Sequence, residues 1–288
     1  MMKDLLERIE EIMPSLSKQQ KAVGSYITEH YDKAAYMTAT KLAKSTGVSE
    51  STVVRFSFSL GYNGYPALQA ALKDITKTRL TTLQRIEITN DRIGNSDILS
   101  SVLNSDIDKI KATLEGIDRK AFDMAINSLI NARDIYIAGA RTSSILVTFL
   151  GLNLNMIFDN VHPIQSYGGN ELIEQLMRLK SGDVLIAITF PRYSKRIVDA
   201  VRFATREGAT VIGLTDSESS PIAESSNILL TAKSDMESFT DSLVAPLSIL
   251  NALIVALSAK KKEAINENFE RLEKIWSEFN YYEKNNKD

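Results

Sequence analysis

The residues Ala39-Thr40-Lys41-Leu42-Ala43-Lys44-Ser45-Thr46-Gly47-Val48-Ser49-Glu50-Ser51-Thr52-Val53-Val54-Arg55-Phe56-Ser57-Phe58 read as two short helices joined by a tight turn. Leu42, Ala43 and Thr46 fall on one face of the first helix, Gly47 supplies the corner, and Val48 plugs the gap between the two. Ser49 stands where an N-cap belongs. Glu50 follows in the first turn, where the helix dipole favours a carboxylate. Val53 and Phe56 carry the apolar face of the second helix, which leaves Ser51, Thr52 and Arg55 expected to point outward. Short hydroxyls beside one arginine suit a helix lying in a DNA major groove, because arginine grips guanine O6 and N7 as a bidentate pair and hydroxyls reach phosphates or bases. Ser49, Ser51, Thr52 and Arg55 are therefore the expected DNA-contacting residues. An ordinary helical hairpin would show the same apolar spacing.

Working outward from this motif, Leu5, Ile9, Ile12 and Met13 repeat at helical spacing until Pro14, and Ser17 caps a second helix with Val23, Ile27 and Tyr31 inside. On the other side, Leu60-Gly61-Tyr62-Asn63-Gly64-Tyr65-Pro66 forms a turn, and a helix carrying Leu68, Ala71, Leu72 and Ile75 follows. Five helices make residues 1–77 an all-α helix-turn-helix head. Residues 78–97 mix polar residues, β-formers and Gly94 without clear period and read as a linker.

From Ile98 to the last residue, 288, the pattern changes. Two helical stretches, with Val102, Ile110 and Leu114 and then Phe122, Ile126 and Leu129, precede an alternation of apolar strands and helices. The strands fall at Asp134–Ala138, Val161–Ile164, Val184–Thr189, Thr210–Leu214 and Ile228–Leu230; the helices fall near Ser143–Phe158, Asn170–Lys180, Ser194–Glu207 and Pro221–Glu224. Such alternation predicts a doubly wound parallel sheet covered on both faces. A long apolar helix beginning at Phe239 and an amphipathic one with Ile265, Phe269, Leu272, Ile275, Trp276 and Phe279 complete the chain.

Ligands of such sheets sit beyond the carboxyl ends of the strands. Two strand-to-helix loops stand out there, Gly139-Ala140-Arg141-Thr142-Ser143-Ser144 and Thr189-Phe190-Pro191-Arg192-Tyr193-Ser194. Each offers hydroxyls, backbone N–H groups at a helix N-terminus and one arginine, an arrangement suited to phosphate or carboxylate. The expected ligand-binding residues are Arg141, Ser143, Ser144, Thr189, Arg192, Tyr193 and Ser194. Ser143 and Ser194 would also serve as plain N-caps.

Composition narrows the classes. The hydrophobic fraction of 44% is ample for buried cores, and the absence of cysteine excludes disulfides, thiolate metal sites and cysteine nucleophiles and fits a reducing cytoplasm. Residues 1–80 hold 11 Lys or Arg against 8 Asp or Glu, whereas the remainder holds 23 against 28, so a mildly basic head precedes an acidic body. Lys3, Asp4, Glu7 and Arg8 interrupt any signal peptide. The longest uncharged apolar run, Leu243–Ala259, contains Pro246 and Asn251 and reads as a buried helix, so no membrane contact is expected.

Leu42-Ala43, Val48-Ser49, Thr52-Val53-Val54-Arg55-Phe56 and Leu60-Gly61-Tyr62-Asn63-Gly64-Tyr65 resemble the N-terminal domain of RpiR-type (MurR/RpiR) bacterial transcription regulators, and the body resembles a sugar isomerase (SIS) domain. The resemblance covers nearly the whole chain. It implies a cytoplasmic regulator that binds a double-stranded operator as a homodimer or homotetramer and senses a phosphorylated or acidic sugar, without cofactor or metal. It assigns ligand contacts to Ser143, Thr189 and Ser194. Many SIS domains have a second glycine where Arg141 stands and a Ser-Gly pair where Pro191-Arg192 stand. Proline removes a donor and a hydroxyl, so the phosphate cradle is altered, and the two arginines either compensate by gripping an anionic group or mark a ligand that is not a simple hexose phosphate.

The rival reading is a sugar-phosphate isomerase with an accessory helical domain, which requires a general base near the loops. His30 lies in the head, His162 begins a strand, and Glu171 opens a helix, where a first-turn carboxylate needs no catalytic explanation. No catalytic residue is assigned, and the helix-turn-helix favours the regulator. A head that binds protein instead of DNA is a third reading, separable by salt dependence.

Overall fold

The computed structural model describes residues 5–93, 97–164, 171–236, 238–279 and 281. They form two compact units, Met1–Ser101 with Asp235–Asp241, and Val102–Ser234 with Ser242–Asp288.

The first unit is helical. α1 (Leu5–Ile12) gives way to a 3-10 turn, Met13–Ser15, that contains Pro14. α2 (Lys18–Glu29) begins at a capping box, in which Ser17 Oγ accepts from Gln20 N and Gln20 Oε1 accepts from Ser17 N. α3 (Tyr31–Ala34) is a separate short turn, so Tyr31 opens its own element instead of extending the inner face of α2. α4 (Ala39–Thr46) ends at Gly47, whose φ of +68° turns the chain into α5 (Glu50–Ser59). α6 (Tyr65–Arg79) follows the aromatic turn, with Pro66 in its first turn. Ile9, Val23, Ile27, Leu42, Val53, Phe56, Leu68 and Leu72 are wholly buried in one cluster, as the period-3.6 patterning predicts for these positions. Tyr65 donates its hydroxyl to Met37 O at 2.7 Å, and burial pushes that phenol up to about 12.

The stretch 78–97, expected to be an aperiodic linker, is mostly α7 (Thr82–Ile93), packed against α3. Its inward residues explain the weak pattern: after Leu80 come Arg85 and Thr89, 2% and 4% exposed, so two of the three buried residues described in this stretch are polar. Arg85 Nη1 donates to Asp241 Oδ1 at 2.8 Å within the same unit. Gly94 lies outside the described residues.

The second unit takes up the chain within α8 (Ile98–Gly116), from Val102, and continues through α9 (Arg119–Ile130), β1 (Ile135–Gly139), α10 (Ser143–Leu154), β2 (Val161–Pro163), α11 (Glu171–Gln175), β3 (Val184–Ile188), α12 (Lys195–Arg206), β4 (Thr210–Thr215) and β5 (Ile228–Thr231). The five strands are all parallel, in the order β2-β1-β3-β4-β5. Every residue of β1 and β3 is buried. Ile135 and Ile137 join a core with α9, α10 and α13 (Val244–Lys260), while Tyr136 and Ala138 join a second core with α11 and α12 on the opposite face. That two-sided burial is why the strands read as continuous apolar runs.

Three helix expectations are corrected. Pro221–Glu224 forms turns, because Ile222, wholly buried, anchors that segment against the sheet while Ser226 Oγ bonds back to Ile222 O. The apolar helix begins at Val244 and not at Phe239, since Met236 and Asp241 pair as an isolated antiparallel bridge ahead of it. The helix expected over 170–180 stops at Gln175, and turns carry Leu176 and Leu179 into the core; Asn170 lies outside the described residues. α14 (Lys262–Glu278) bears the expected amphipathic stripe, of which Phe269 and Ile275 remain exposed and Ile265 packs on the core. Among the described residues no helix is long and apolar enough to cross a membrane.

Candidate functional site

On α5, Ser49, Ser51 and Arg55 are exposed. Ser49 occupies the N-cap position in extended backbone, but its hydroxyl bonds the hydroxyls of Ser51 and Thr52, each at 2.9 Å, in place of a backbone N–H. Thr52 is a correction to the outward face. It is 2% exposed, and its hydroxyl spans to Gln19 Oε1 of α2 at 3.4 Å, so it fastens the start of α5 to the head. The buried stripe of α5 is wide enough to take both Thr52 and Val53. Arg55 Nε donates to Ser51 O at 3.3 Å, lying back along its own helix. Gln20 Nε2 donates to Ser59 Oγ at 3.0 Å, so α2 braces both ends of α5, a contact that periodicity alone does not reveal. Arg8 donates to Leu60 O and Tyr62 OH and lies 5.2 Å from the Tyr62 ring, holding the turn after α5.

The second candidate region lies at the carboxyl edge of the sheet. β1 and β3 are adjacent, yet α10 leaves β1 toward one face and α12 leaves β3 toward the other. The loops 139–144 and 189–194 therefore flank the point where the winding reverses, the position at which a crevice opens. Gly139 ends β1 because nothing larger fits: an added Cβ would lie 2.8 Å from Val147 Cγ2 and 3.0 Å from Ser143 O.

The two loops share a backbone device. Arg141 has φ +57° and Arg192 has φ +59°, the only positive-φ residues other than glycine among those described. Ser144 supports the first turn, its N and Oγ both donating to Arg141 O, at 3.0 and 2.6 Å. Ser143 is the first residue of α10 and not its cap, a position Thr142 holds. Ser143 is 5% exposed, and its hydroxyl has no hydrogen-bond partner among the described residues. Thr189 is 3% exposed; its Oγ1 accepts from Ser194 N at 3.3 Å, which ties the loop's two ends. Ser194 is the N-cap of α12 by backbone position, with no side-chain cap bond.

A third loop joins them. Tyr193 OH donates to Asp216 Oδ1 at 2.8 Å, and Asp216, 4% exposed, follows β4. Thr215 Oγ1 also reaches Asp216, at 3.3 Å. The strand-to-loop position of Asp216 was a signal available in the sequence. His162 sits away from these loops. It pairs in register with Tyr136 near the start of β1 and bonds Asp134 at 2.8 Å. His30 meets the Tyr26 ring at a tilt of 58° in the head, and the Glu171 side chain lies outside the described residues. Among the described residues no group of His, Cys, Asp or Glu could hold a metal ion.

Comparison with known proteins follows the same division. Residues 3–78 match the model of the helix-turn-helix domain of the rpiR family, and residues 128–256 match the SIS domain model. The chain is an RpiR-type transcription regulator. It is similar to HexR, an HTH-type transcriptional regulator of Pseudomonas aeruginosa, at 25% identity over 90% of this chain and 91% of that one. An uncharacterised HTH-type transcriptional regulator of Clostridium perfringens is 24% identical over 93% of this chain and 95% of its own length. Among solved structures, Vibrio vulnificus NanR in complex with ManNAc-6P has a similar fold, with a TM-score of 0.58 at 24% identity, covering 96% of this chain and 98% of that one. This RpiR-type chain thus carries its family's two domains in order.

Proposed function

We propose that the exposed face of α5 binds double-stranded operator DNA and that a phosphorylated or acidic sugar, held between the loops 139–144 and 189–194, sets the affinity. The observation that carries this reading is the matched pair of left-handed arginines, one in each loop beside a helix N-terminus at the reversal of winding. Ser143, Thr189 and Ser194 hold the anionic group; Arg141 and Arg192 add charge, and Ser144 and Tyr193 shape the loops that present it. That NanR binds ManNAc-6P supports a sugar phosphate as the ligand class. On the DNA side, Arg55 reads or anchors, Ser49 and Ser51 make polar contacts, and Thr52 positions the helix. The isomerase reading has less support, since His162 stands near the strand starts and the similar full-length proteins are named as regulators. The regulator works in the cytoplasm as a homodimer or homotetramer, without catalytic residues or cofactor.

The ligand changes DNA affinity only by binding two arrangements of the protein unequally, and coupling of about 1 to 3 kcal/mol gives a 5- to 150-fold change. The test is an anisotropy titration at fixed salt on a duplex selected by the parent from a random pool, with and without sugar phosphates and acidic sugars. Arg55→Ala is expected to weaken binding by about 1 to 3 kcal/mol. The double variant Ser143→Ala with Ser194→Ala is expected to bind ligand-free DNA as the parent does and to lose the response. A double variant that responds as the parent does places the effector elsewhere; one that no longer binds DNA makes the loops structural.

A further inference from the structure

The opposite edge of the sheet, at the amino ends of the strands, holds a pocket of about 480 Å³ lined by Arg133, Asp134, Tyr136, His162, Arg178 and Lys180. Its size is in the range of small-molecule sites. The elements that build it are the residues entering β1, the first half of β2 and the turn entering β3.

The floor of this pocket is held in place from below. Asp183, wholly buried, accepts Arg133 Nε at 2.8 Å and Arg133 Nη2 at 2.6 Å, and its Oδ2 also accepts Lys180 N at 2.8 Å. One carboxylate therefore fixes the two basic residues on neighbouring segments, and its charge is spent on the bidentate pair. Asp134 is also engaged, with His162 Nε2 at 2.8 Å and Arg133 Nε at 3.4 Å. What remains is uncommitted charge and one uncommitted donor. The side chains of Arg178 and Lys180 are exposed and make no hydrogen bond or ion pair among the described residues. Tyr136 is 6% exposed, lines the pocket, and has a hydroxyl with no hydrogen-bond partner among the described residues. The hydroxyl is not sealed from solvent, so it stands open to an acceptor brought into the pocket. Burial first, then the charges of Asp134 and Asp183, push its pKa above the usual tyrosine value, so at neutral pH it is a donor. Beside it, the half-exposed His162 ring lies 4.9 Å from the Tyr136 ring and offers a flat surface.

We propose that this amino-edge pocket is a second anion site, separate from the loops at the carboxyl edge, for a small ring-bearing molecule with a phosphate or carboxylate. Arg178 and Lys180 take the anion, the Tyr136 hydroxyl donates to it, and the ring rests against His162. An excess of cations over free carboxylates excludes a cationic ligand. The site stands on its own residues and does not depend on what the carboxyl-edge loops bind.

The chain has two histidines, one in each unit, so proton NMR of the imidazole C–H resonances reads this pocket directly, with His30 as the internal control. Phenyl phosphate and benzoate are titrated separately into the full-length protein at constant ionic strength, with chloride as the reference anion. Saturable shifts of the His162 resonances, with His30 unmoved, are expected for at least one probe, and the probe that acts identifies phosphate or carboxylate. The double variant R178A with K180A, both at exposed positions, is expected to weaken binding at least tenfold, and Tyr136→Phe about three- to tenfold. The double variant S143A with S194A is expected to leave the His162 shifts as they are. Absence of saturable shifts with both probes, or shifts indifferent to R178A with K180A, would overturn the proposal. Loss of the shifts in S143A with S194A would also overturn it, because the anion would then be acting from the carboxyl edge.

Discussion

Arg141 and Arg192 hold a conformation that costs an L-residue about 1 to 2 kcal/mol and that glycine adopts freely. By the resemblance to SIS domains, many of which have glycine at both positions, the turn is kept here while the side chain is changed. That exchange makes sense if the guanidinium contributes more to binding than the strain removes from stability. Arg141→Gly should therefore leave the melting temperature unchanged or raise stability by up to about 1 kcal/mol, the relief of strain being offset by the freer unfolded chain. The same variant should bind the effector about tenfold more weakly, as calorimetry would show. A variant that loses stability and keeps full affinity would mean the arginine serves the fold. Sequence alone shows two arginines in matching loops; their shared φ and the unpartnered hydroxyl of Ser143 are visible only with the backbone in place. Thr52 is the opposite case: its polarity suggests the surface, and packing against Gln19 and Ser49 takes it inside.

At the scale of elements, α7 shows how a helix hides in a sequence. Its start is legible, because Thr81 Oγ1 accepts from Gln84 N at 3.3 Å and Gln84 Oε1 accepts from Thr81 N at 3.0 Å, the reciprocal pattern of a Thr-x-x-Gln capping box. Its body is not legible, because Arg85 and Thr89 occupy positions where a hydrophobic period would show apolar residues. Removing the cap by Thr81→Ala should lower the stability of the first unit by about 1 kcal/mol, read as a lower urea midpoint for that unit's transition. An unchanged midpoint would mean that α7 is held by its tertiary contacts alone. The turns over 218–225 are the reverse lesson. The three apolar residues Pro221-Ile222-Ala223 look like part of a helix turn, but one buried isoleucine suffices to pin a loop beneath the sheet edge.

At the scale of the whole molecule, α10 and α13 pack on one another beside the sheet and are apolar on their outward sides as well, where Ile145, Leu152 and Val255 are 62%, 63% and 68% exposed. Monomers rarely leave such patches in water. Light scattering should therefore report a dimer or tetramer at micromolar concentration, and Ile145→Glu with Leu152→Glu should shift it toward the 32.0 kDa monomer. A parent that is already monomeric would remove both the interface and the paired-head model of operator binding. Periodicity by itself determined the helix-turn-helix, the five parallel strands and the two loops at their carboxyl edge, because repeat length, glycine corners and strand-helix alternation are local properties carried by neighbouring residues. Only the tertiary structure decided that Thr52 is buried, that residues 82–93 are helix, that Asp216 joins the ligand loops, and that Arg133, Arg178 and Lys180 meet around Tyr136. Each of those depends on residues far apart in the chain meeting across a packed interface, and no local pattern encodes which polar side chains will find partners there.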